Sequence, residues 1–268
     1  MALPPPSASA TALVTGASSG IGAAIARELA ARGHGLTLAA RREERLRELA
    51  AELADRHGVR VEVLAADVSS DAGREELAGG IEALGLDVEV LVNNAGFGDA
   101  AELVDADRER LLEMIGVNCE AVFDLQARYL PGMVGRGRGA VINVASTAAF
   151  QPIPGNATYA ATKSFVLSFS EATHSEVAGA GVTITALCPG PVATEFPERA
   201  GIPDAESRAP GFVWTSVEAV AAQAVEGADK GKRVVVPGAL HRAGTLAGQH
   251  TPRMLLLPVA KRIWRQAL

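Results

Sequence analysis

The chain has 268 residues, 48% apolar and 21% charged, with a formal charge of -6. That composition is globular, supports a sizeable core and leaves no general electrostatic footprint for nucleic acid. Aromatics make up only 4% beside abundant alanine and glycine, which favours close helix–sheet packing over an aromatic-rich β-sandwich.

Residues 1–10, "MALPPPSASA", carry neither a basic n-region nor an apolar core. They read as a short disordered lead, not a signal peptide. Short apolar runs predict strands at 12–15, 35–40, 60–65, 88–93, 140–145, 182–187 and 233–237. Amphipathic patterns between them predict helices at 22–32, 43–57, 70–84, 108–129, 158–178 and 216–228. "LTLAA", "VEVLAA" and "VEVLVN" are nearly continuous in apolar character, as strands of a parallel sheet buried on both faces must be. The alternation therefore predicts an α/β fold, one doubly wound domain over residues 11–237 with a seven-stranded parallel sheet flanked by helices. There is no internal linker and no fixed-period repeat. The one long irregular stretch, 196–215, is expected to be a substrate loop, since a loop of that length in a compact domain is usually functional. Residues 238–268 form a C-terminal extension, expected to be helical. No run reaches the ~18 apolar residues of a membrane span. Cys119 and Cys188 stand far apart with no zinc spacing and no disulfide framework, so a reducing cytoplasm and no metal are expected.

The first strand runs into the first helix through "ALVTGASSGIGAAIA", with glycines at Gly16, Gly20 and Gly22. Glycine permits a tight turn, an unobstructed backbone beside a phosphate and close helix packing. The helix that follows aims free N–H groups and the positive end of its dipole at an anion. At the end of the second strand, "LTLAARREERL" places Arg41 and Arg42 where a carboxylate would bind a ribose 2′-hydroxyl. Arginine there grips a 2′-phosphate instead, so NADP(H) is favoured over NAD(H). The plainer alternative is that both arginines begin a solvated helix with Glu43 and Glu44.

"NATYAATKSFV" contains Tyr159, one of only two tyrosines, one helical turn before Lys163. Residues spaced i,i+4 share a helix face, so phenol and ammonium are neighbours. Bringing a tyrosine from ~10 to ~7 requires roughly 4 kcal/mol. One ammonium at ~4 Å in an effective dielectric of ~20 supplies about that much. The pair is chemical if the site excludes water.

"TGASSGIG" (15–22), "NNAG" (93–96), the serine of "NVAS" (Ser146), "YAATK" (159–163) and "PGPVATE" (189–195) occur in one order at compatible spacing. Together they resemble the classical short-chain dehydrogenase/reductase family over about residues 11–236. The resemblance implies a Rossmann-type domain and a hydride transfer between nicotinamide and a small-molecule carbonyl or alcohol. It implies Tyr159 as general acid or base and Lys163 as the group that binds the nicotinamide ribose and lowers the tyrosine pKa. Ser146 would bond the substrate oxygen, and Asn118 in "GVNCEAVF" would hold a relay water. Gly16, Ser18, Ser19, Gly20, Ile21 and Gly22 would bind the cofactor. So would Arg41, Arg42, Asp67, Val68, Asn94, Ala95 and Gly96, with Pro189, Gly190, Val192 and Thr194 around the nicotinamide. The resemblance also implies a homodimer or homotetramer, the dimer through helices 108–129 and 158–178, where Ala160, Ala161 and Ser164 permit close approach. Asp67 could instead cap the helix that begins near Ser70, and Asn118 could merely bond backbone nearby.

The last strand, "KRVVVPGAL", is followed by about thirty residues where carrier-protein reductases of the family stop. This points to members that act on hydrophobic carbonyl compounds, with "AFQPIPGNA" lining the pocket. A 3-oxoacyl reductase and a nucleotide-sensing binding protein of the same fold are the alternatives. In the tail, Leu256, Val259, Ile263, Trp264 and Ala267 follow helical spacing, and Arg253, Lys261, Arg262 and Arg265 make it basic. The expectation is that this stripe packs on the enzyme and walls the substrate site. An interfacial helix on anionic lipid is the other reading.

Overall fold

Strands β1 (Ala10–Thr15), β2 (Leu36–Ala40), β3 (Val61–Ala65), β4 (Asp87–Asn93), β5 (Gly139–Val144), β6 (Val182–Leu187) and β7 (Val234–Val235) form one sheet. All pairs are parallel, and the spatial order is β3-β2-β1-β4-β5-β6-β7. The computed structural model describes residues 3–201 and 210–267, except for the side chains of Arg199 and residues 263–267. In chain order the helices are α1 (Gly20–Ala31), α2 (Glu43–His57), α3 (Asp71–Ala83), α4 (Arg108–Ile115) and α5 (Ala121–Arg136). They continue with α6 (Ala157–Glu176), α7 (Phe196–Arg199), α8 (Val217–Asp229), α9 (Ala239–His250) and α10 (Arg253–Ala267).

Helical periodicity decides which faces are covered. In α2 the apolar residues recur as Leu46, Leu49 and Leu53, all buried against α1, α8 and one face of the sheet. The other face is covered by Leu77 and Ile81 of α3, Leu125 and Met133 of α5, and Val166 and Leu167 of α6. The chain leaves β1 in one direction to form β2 and β3, then returns to place β4 on the other side of β1. Doubly wound sheets bind ligands at this reversal, beyond the carboxyl ends of the strands.

Three expectations need correction. The lead is not free: Leu3 belongs to the core beneath α1, Pro4 is buried, and β1 begins at Ala10, while residues 1 and 2 lie outside the described residues. The helix expected at 108–129 is two helices joined by a π-helical turn, Gly116–Glu120, and the second continues past Pro131 to Arg136. Such turns insert one residue per turn and re-aim a side chain, here Asn118. The stretch 196–215 holds α7 and a 3-10 turn at Gly211–Val213, with residues 202–209 outside the description.

Between sheet and helices runs a buried amide chain. The β4/β5 register sets Asn93 opposite Asn143, and Asn93 Nδ2 donates to Asn143 Oδ1 at 2.9 Å. Asn143 Nδ2 donates to Gln126 Oε1 at 2.7 Å and to Ser170 Oγ at 2.9 Å, and Gln126 Nε2 donates to Thr173 Oγ1 at 3.0 Å. This chain fixes α5 and α6 to the sheet in one register. Asn143→Ala strands several buried polar partners, so it should lower stability by roughly 3 kcal/mol or more. The reading is a lower urea midpoint at unchanged slope, and a midpoint equal to wild type would show that the network adds nothing.

Candidate active site

The glycine-rich turn between β1 and α1 is shaped by its neighbour from β4. Gly16 and Gly20 have φ of 65° and 56°, in the left-handed region. Asn94 Nδ2 donates to the backbone oxygens of Thr15 at 2.9 Å and Gly16 at 3.3 Å. A side-chain carbon on Gly22 would collide with that amide and approach Gly16 O to 2.7 Å. Thr15 Oγ1 accepts from the N–H groups of Asn94 at 3.0 Å and Ala95 at 3.1 Å, closing the joint from the other side. Ser19 precedes α1 without a side-chain cap bond, and Ile21 packs on the core below. The turn thus offers a helix N-terminus with no side chain of its own in the way.

The arginines after β2 diverge. Arg42 Nη2 donates to Ser18 Oγ and to Ser19 Oγ, both at 2.8 Å, and its Nη1 reaches Glu195 Oε2 at 3.2 Å. Arg41 turns away, 3.3 Å from Glu113 Oε1 and 3.7 Å from Asp67 Oδ2. Asp67 is not the cap of α3: Ser70 accepts from Gly73 N, while Asp67 Oδ1 accepts from Ser69 N at 3.0 Å. Burial pushes the Asp67 carboxyl up, but hydrogen bonds from Ser69 and the Arg41 guanidinium outweigh it and hold it below the usual range. Val68 is buried and its carbonyl accepts from Arg74.

Ser146, Tyr159 and Lys163 are brought together at the carboxyl end of β5 by the start of α6. Ser146 Oγ caps the 3-10 turn Thr147–Phe150, accepting from Ala148 N at 3.1 Å. Lys163 Nζ donates to Val144 O at 2.8 Å and lies 5.8 Å from the Tyr159 ring centroid. Burial pushes the phenol up to about 12, against a lowering hydrogen bond from Ser146, and pushes the Lys163 ammonium down to about 8. The expected lowering of the tyrosine by the lysine is therefore absent. The ammonium is spent on a backbone carbonyl, and desolvation of the phenolate dominates. Asn118 is neither locally bonded nor open: its Oδ1 accepts from Phe97 N at 3.2 Å, and its Nδ2 donates to Phe97 O and Thr162 Oγ1, each at 3.0 Å. At Gly96 a side chain would meet Asn118 Oδ1 at 2.8 Å and Lys163 Nζ at 3.4 Å.

The loop after β6 closes the site. Pro189 O accepts from Thr147 N at 2.9 Å, Val192 is buried, and Thr194 lies against Gly20. The Phe196 ring stands 5.7 Å from that of Tyr159. The extension reaches the same loop: the His241 ring lies over Gly190, where any side chain would displace it. "AFQPIPGNA" does line a cavity of ≈ 520 Å³, together with Arg253 and Leu257 of α10, but that lining includes neither Ser146 nor Tyr159. Ala160, Ala161 and Ser164 face this cavity, so the space expected for close dimer packing is bordered by the tail. Of the expected tail stripe, Leu256 is half-buried and Val259 exposed, while the side chains of Ile263, Trp264 and Ala267 lie outside the described residues. Thr15, Thr162, Arg45, Glu195, Phe196 and His241 are site neighbours that sequence reasoning missed. Thr15 and Glu195, at the ends of the quoted motifs "TGASSGIG" and "PGPVATE", carried a local signal. Among the described residues there is no cluster of metal-ligating side chains and no helix long and apolar enough to cross a membrane.

A family model described as short chain dehydrogenase matches residues 10–202. The chain belongs to the short chain dehydrogenase family, a family of oxidoreductases. It is 36% identical over 198 residues to a very-long-chain 3-oxoacyl-CoA reductase from Anas platyrhynchos, covering 71% of this chain and only 62% of that protein. A solved short-chain dehydrogenase from Sphingobium yanoikuyae in complex with NADPH is 36% identical with a TM-score of 0.79, covering 93% of this chain and 95% of that one. The bulky-bulky ketone specific alcohol dehydrogenase from Comamonas testosteroni is 27% identical with a TM-score of 0.75, covering 97% of this chain and 94% of that one.

The buried lysine leaves a mark on stability. Its unfolded value is 10.5 and its folded value about 8, so between these the unfolded chain holds the extra proton. Stability then rises with pH across that window, and below it the folded state carries a penalty of about 3 kcal/mol. Cofactor-free protein should gain thermal midpoint from pH 7 to pH 9, and Lys163→Met should gain less. Equal gains in both would mean that the ammonium is not desolvated.

Proposed function

We propose that the protein is an NADP(H)-dependent oxidoreductase that transfers a hydride between the nicotinamide and the carbonyl or secondary alcohol of a hydrophobic small molecule. The observation that carries this reading is the convergence of Ser146, Tyr159 and Lys163 beside an open glycine-rich turn. The turn fits a dinucleotide: Gly16 and Gly22 leave no side chain in its path, and Arg42 with Ser18 and Ser19 suits a 2′-phosphate. The nicotinamide, when bound, supplies or accepts the hydride. Burial keeps Tyr159 protonated, so its phenol has a proton to give to a carbonyl oxygen as negative charge develops there. Ser146 offers a second hydroxyl to that oxygen. Lys163 presents a desolvated ammonium held by Val144 O that would bind the nicotinamide ribose, and Asn118 braces the turn at Phe97. Asp67 with Val68 would serve the adenine end, Asn94, Ala95 and Gly96 would support the cofactor, and Pro189, Gly190, Val192 and Thr194 would hold the nicotinamide end. The likeness to the bulky-ketone enzyme, which extends over nearly the whole chain, supports a hydrophobic ketone. The likeness to the 3-oxoacyl-CoA reductase favours a second substrate reading, a 3-oxoacyl thioester. Two free cysteines fit a reducing cytoplasm.

Oxidation of NADPH against lipophilic ketones and 3-oxoacyl thioesters should separate the two substrate readings. Tyr159→Phe should lower turnover by ~10²–10⁴ while NADPH still binds. Near wild-type turnover in that variant would sink the assignment.

The dimer reading rests on exposed apolar side chains along α4 to α6. Leu112, Ile115, Phe123 and Phe165 are each more than a third exposed on these helices, between 37% and 53%. Pairing of the same helices across a two-fold axis covers them, giving a homodimer that a second axis could double. Sedimentation at micromolar concentration should give at least a dimer, and a monomer would refute it.

A further inference from the structure

Glu195 occupies an unexpected place for a carboxylate. Its Oε2 accepts from Arg42 Nη1 at 3.2 Å, and its Oε1 accepts from Arg45 Nη1 at 2.7 Å. The remaining donors of Arg42 reach Ser18 Oγ at 2.8 and 3.2 Å and Ser19 Oγ at 2.8 Å. Two guanidinium groups from the start of α2 thus converge on one anion, and the two hydroxyls of the glycine-rich turn hold the first of them, Arg42, in place. That donor set is the chemistry of a phosphate site. Arg41 is outside it, committed to Asp67 and Glu113.

A phosphate entering this cluster meets Glu195 at contact distance, and two anions there repel. One must leave. The carboxylate is the weaker ligand, since it carries one charge, and its pairs with Arg42 and Arg45 are partly solvated, with side chains 33% to 46% exposed. A phosphate brings more charge and three acceptor oxygens.

We propose that Glu195 is an internal surrogate for the cofactor's 2′-phosphate, filling its site until NADP(H) displaces it, and that Arg45 is a phosphate ligand beside Arg42. The proposal rests on the NADP(H) reading above. It makes Glu195 a specificity residue: the carboxylate taxes every ligand that carries the 2′-phosphate and leaves ligands without it untouched. Its position also gives displacement a consequence. Thr194, before it, lies against Gly20, and Phe196, after it, stands over Tyr159, so the segment that Glu195 anchors touches both the turn and the catalytic phenol.

Fragments of the adenine end isolate this site from hydride chemistry. Calorimetric titration of the full chain with adenosine 2′,5′-bisphosphate and with 5′-AMP gives four informative comparisons. Glu195→Gln should tighten the bisphosphate roughly five-fold or more, the scale of one exposed charge pair, and shift AMP less than two-fold. Arg45→Ala should weaken the bisphosphate about ten-fold, the scale of one charge-assisted hydrogen bond, and leave AMP unchanged. Unchanged or weaker bisphosphate binding in Glu195→Gln overturns the surrogate role, because the carboxylate would then only orient the arginines. Equal bisphosphate affinity in Arg45→Ala overturns its role as a ligand. Wild-type protein that binds both fragments equally would remove the NADP(H) reading itself, a different outcome from either.

Discussion

One side-chain amide joins the two halves of the doubly wound sheet. Asn94 reaches from the end of β4 to the backbone oxygens of Thr15 and Gly16, and there is room for it only because Gly16 and Gly22 have no side chains. The turn would otherwise be a flexible glycine loop at the end of β1. With the amide in place its backbone is shaped from one side, and Thr15 Oγ1 secures the returning chain from the other. The topological reversal leaves a crevice between β1 and β4, and this joint sets its width. Everything a dinucleotide needs at its phosphate end depends on that constraint.

The Tyr159 and Lys163 end stores an opposite kind of energy. Lys163 is almost fully buried with a backbone carbonyl as its hydrogen-bond partner, and Tyr159 is buried against Phe196. Both titrations are displaced toward the neutral form, as desolvation requires. A core built for stability alone would place an apolar residue at 163. The buried ammonium is therefore a cost to stability, set beside the amide network of Asn93, Asn143 and Gln126, which fixes α6 against the sheet.

Much of this was legible in the sequence, for physical reasons that differ by element. The strands were readable because parallel strands buried on both faces leave unbroken apolar runs such as "LTLAA", and α2 because Leu46, Leu49 and Leu53 repeat at helical period. That the glycine turn lies between β1 and α1, and that Tyr159 and Lys163 share one face of α6, was readable from glycine spacing and the i,i+4 interval, whereas Ser146 was picked out only by the family resemblance. The π-helical turn at Gly116–Glu120 was not, since its pattern differs from an α-helix by one residue in a segment whose apolar stripe continues through it. The packed lead was hidden by a polar, proline-rich composition that conceals one anchoring leucine, Leu3. The lowering expected for Tyr159 does not match the raised phenol of the structure, because spacing alone gives a distance but not the degree of desolvation, which tertiary packing decides.

Residues far apart in sequence but joined only in the fold escaped in the same way. Arg45 lies 150 positions from Glu195, and no local pattern connects a helix's first turn to the loop after β6. The extension behaves alike. His241 covers Gly190 and α10 borders the cavity beside Ala160, so α6 carries Tyr159 and Lys163 toward β5 and meets the tail through Ala160, Ala161 and Ser164. A substitution on either face of α6 therefore acts on one rigid element. The tail can influence the placement of Tyr159 through that helix without touching the phenol, because packed helices transmit displacement rather than absorb it.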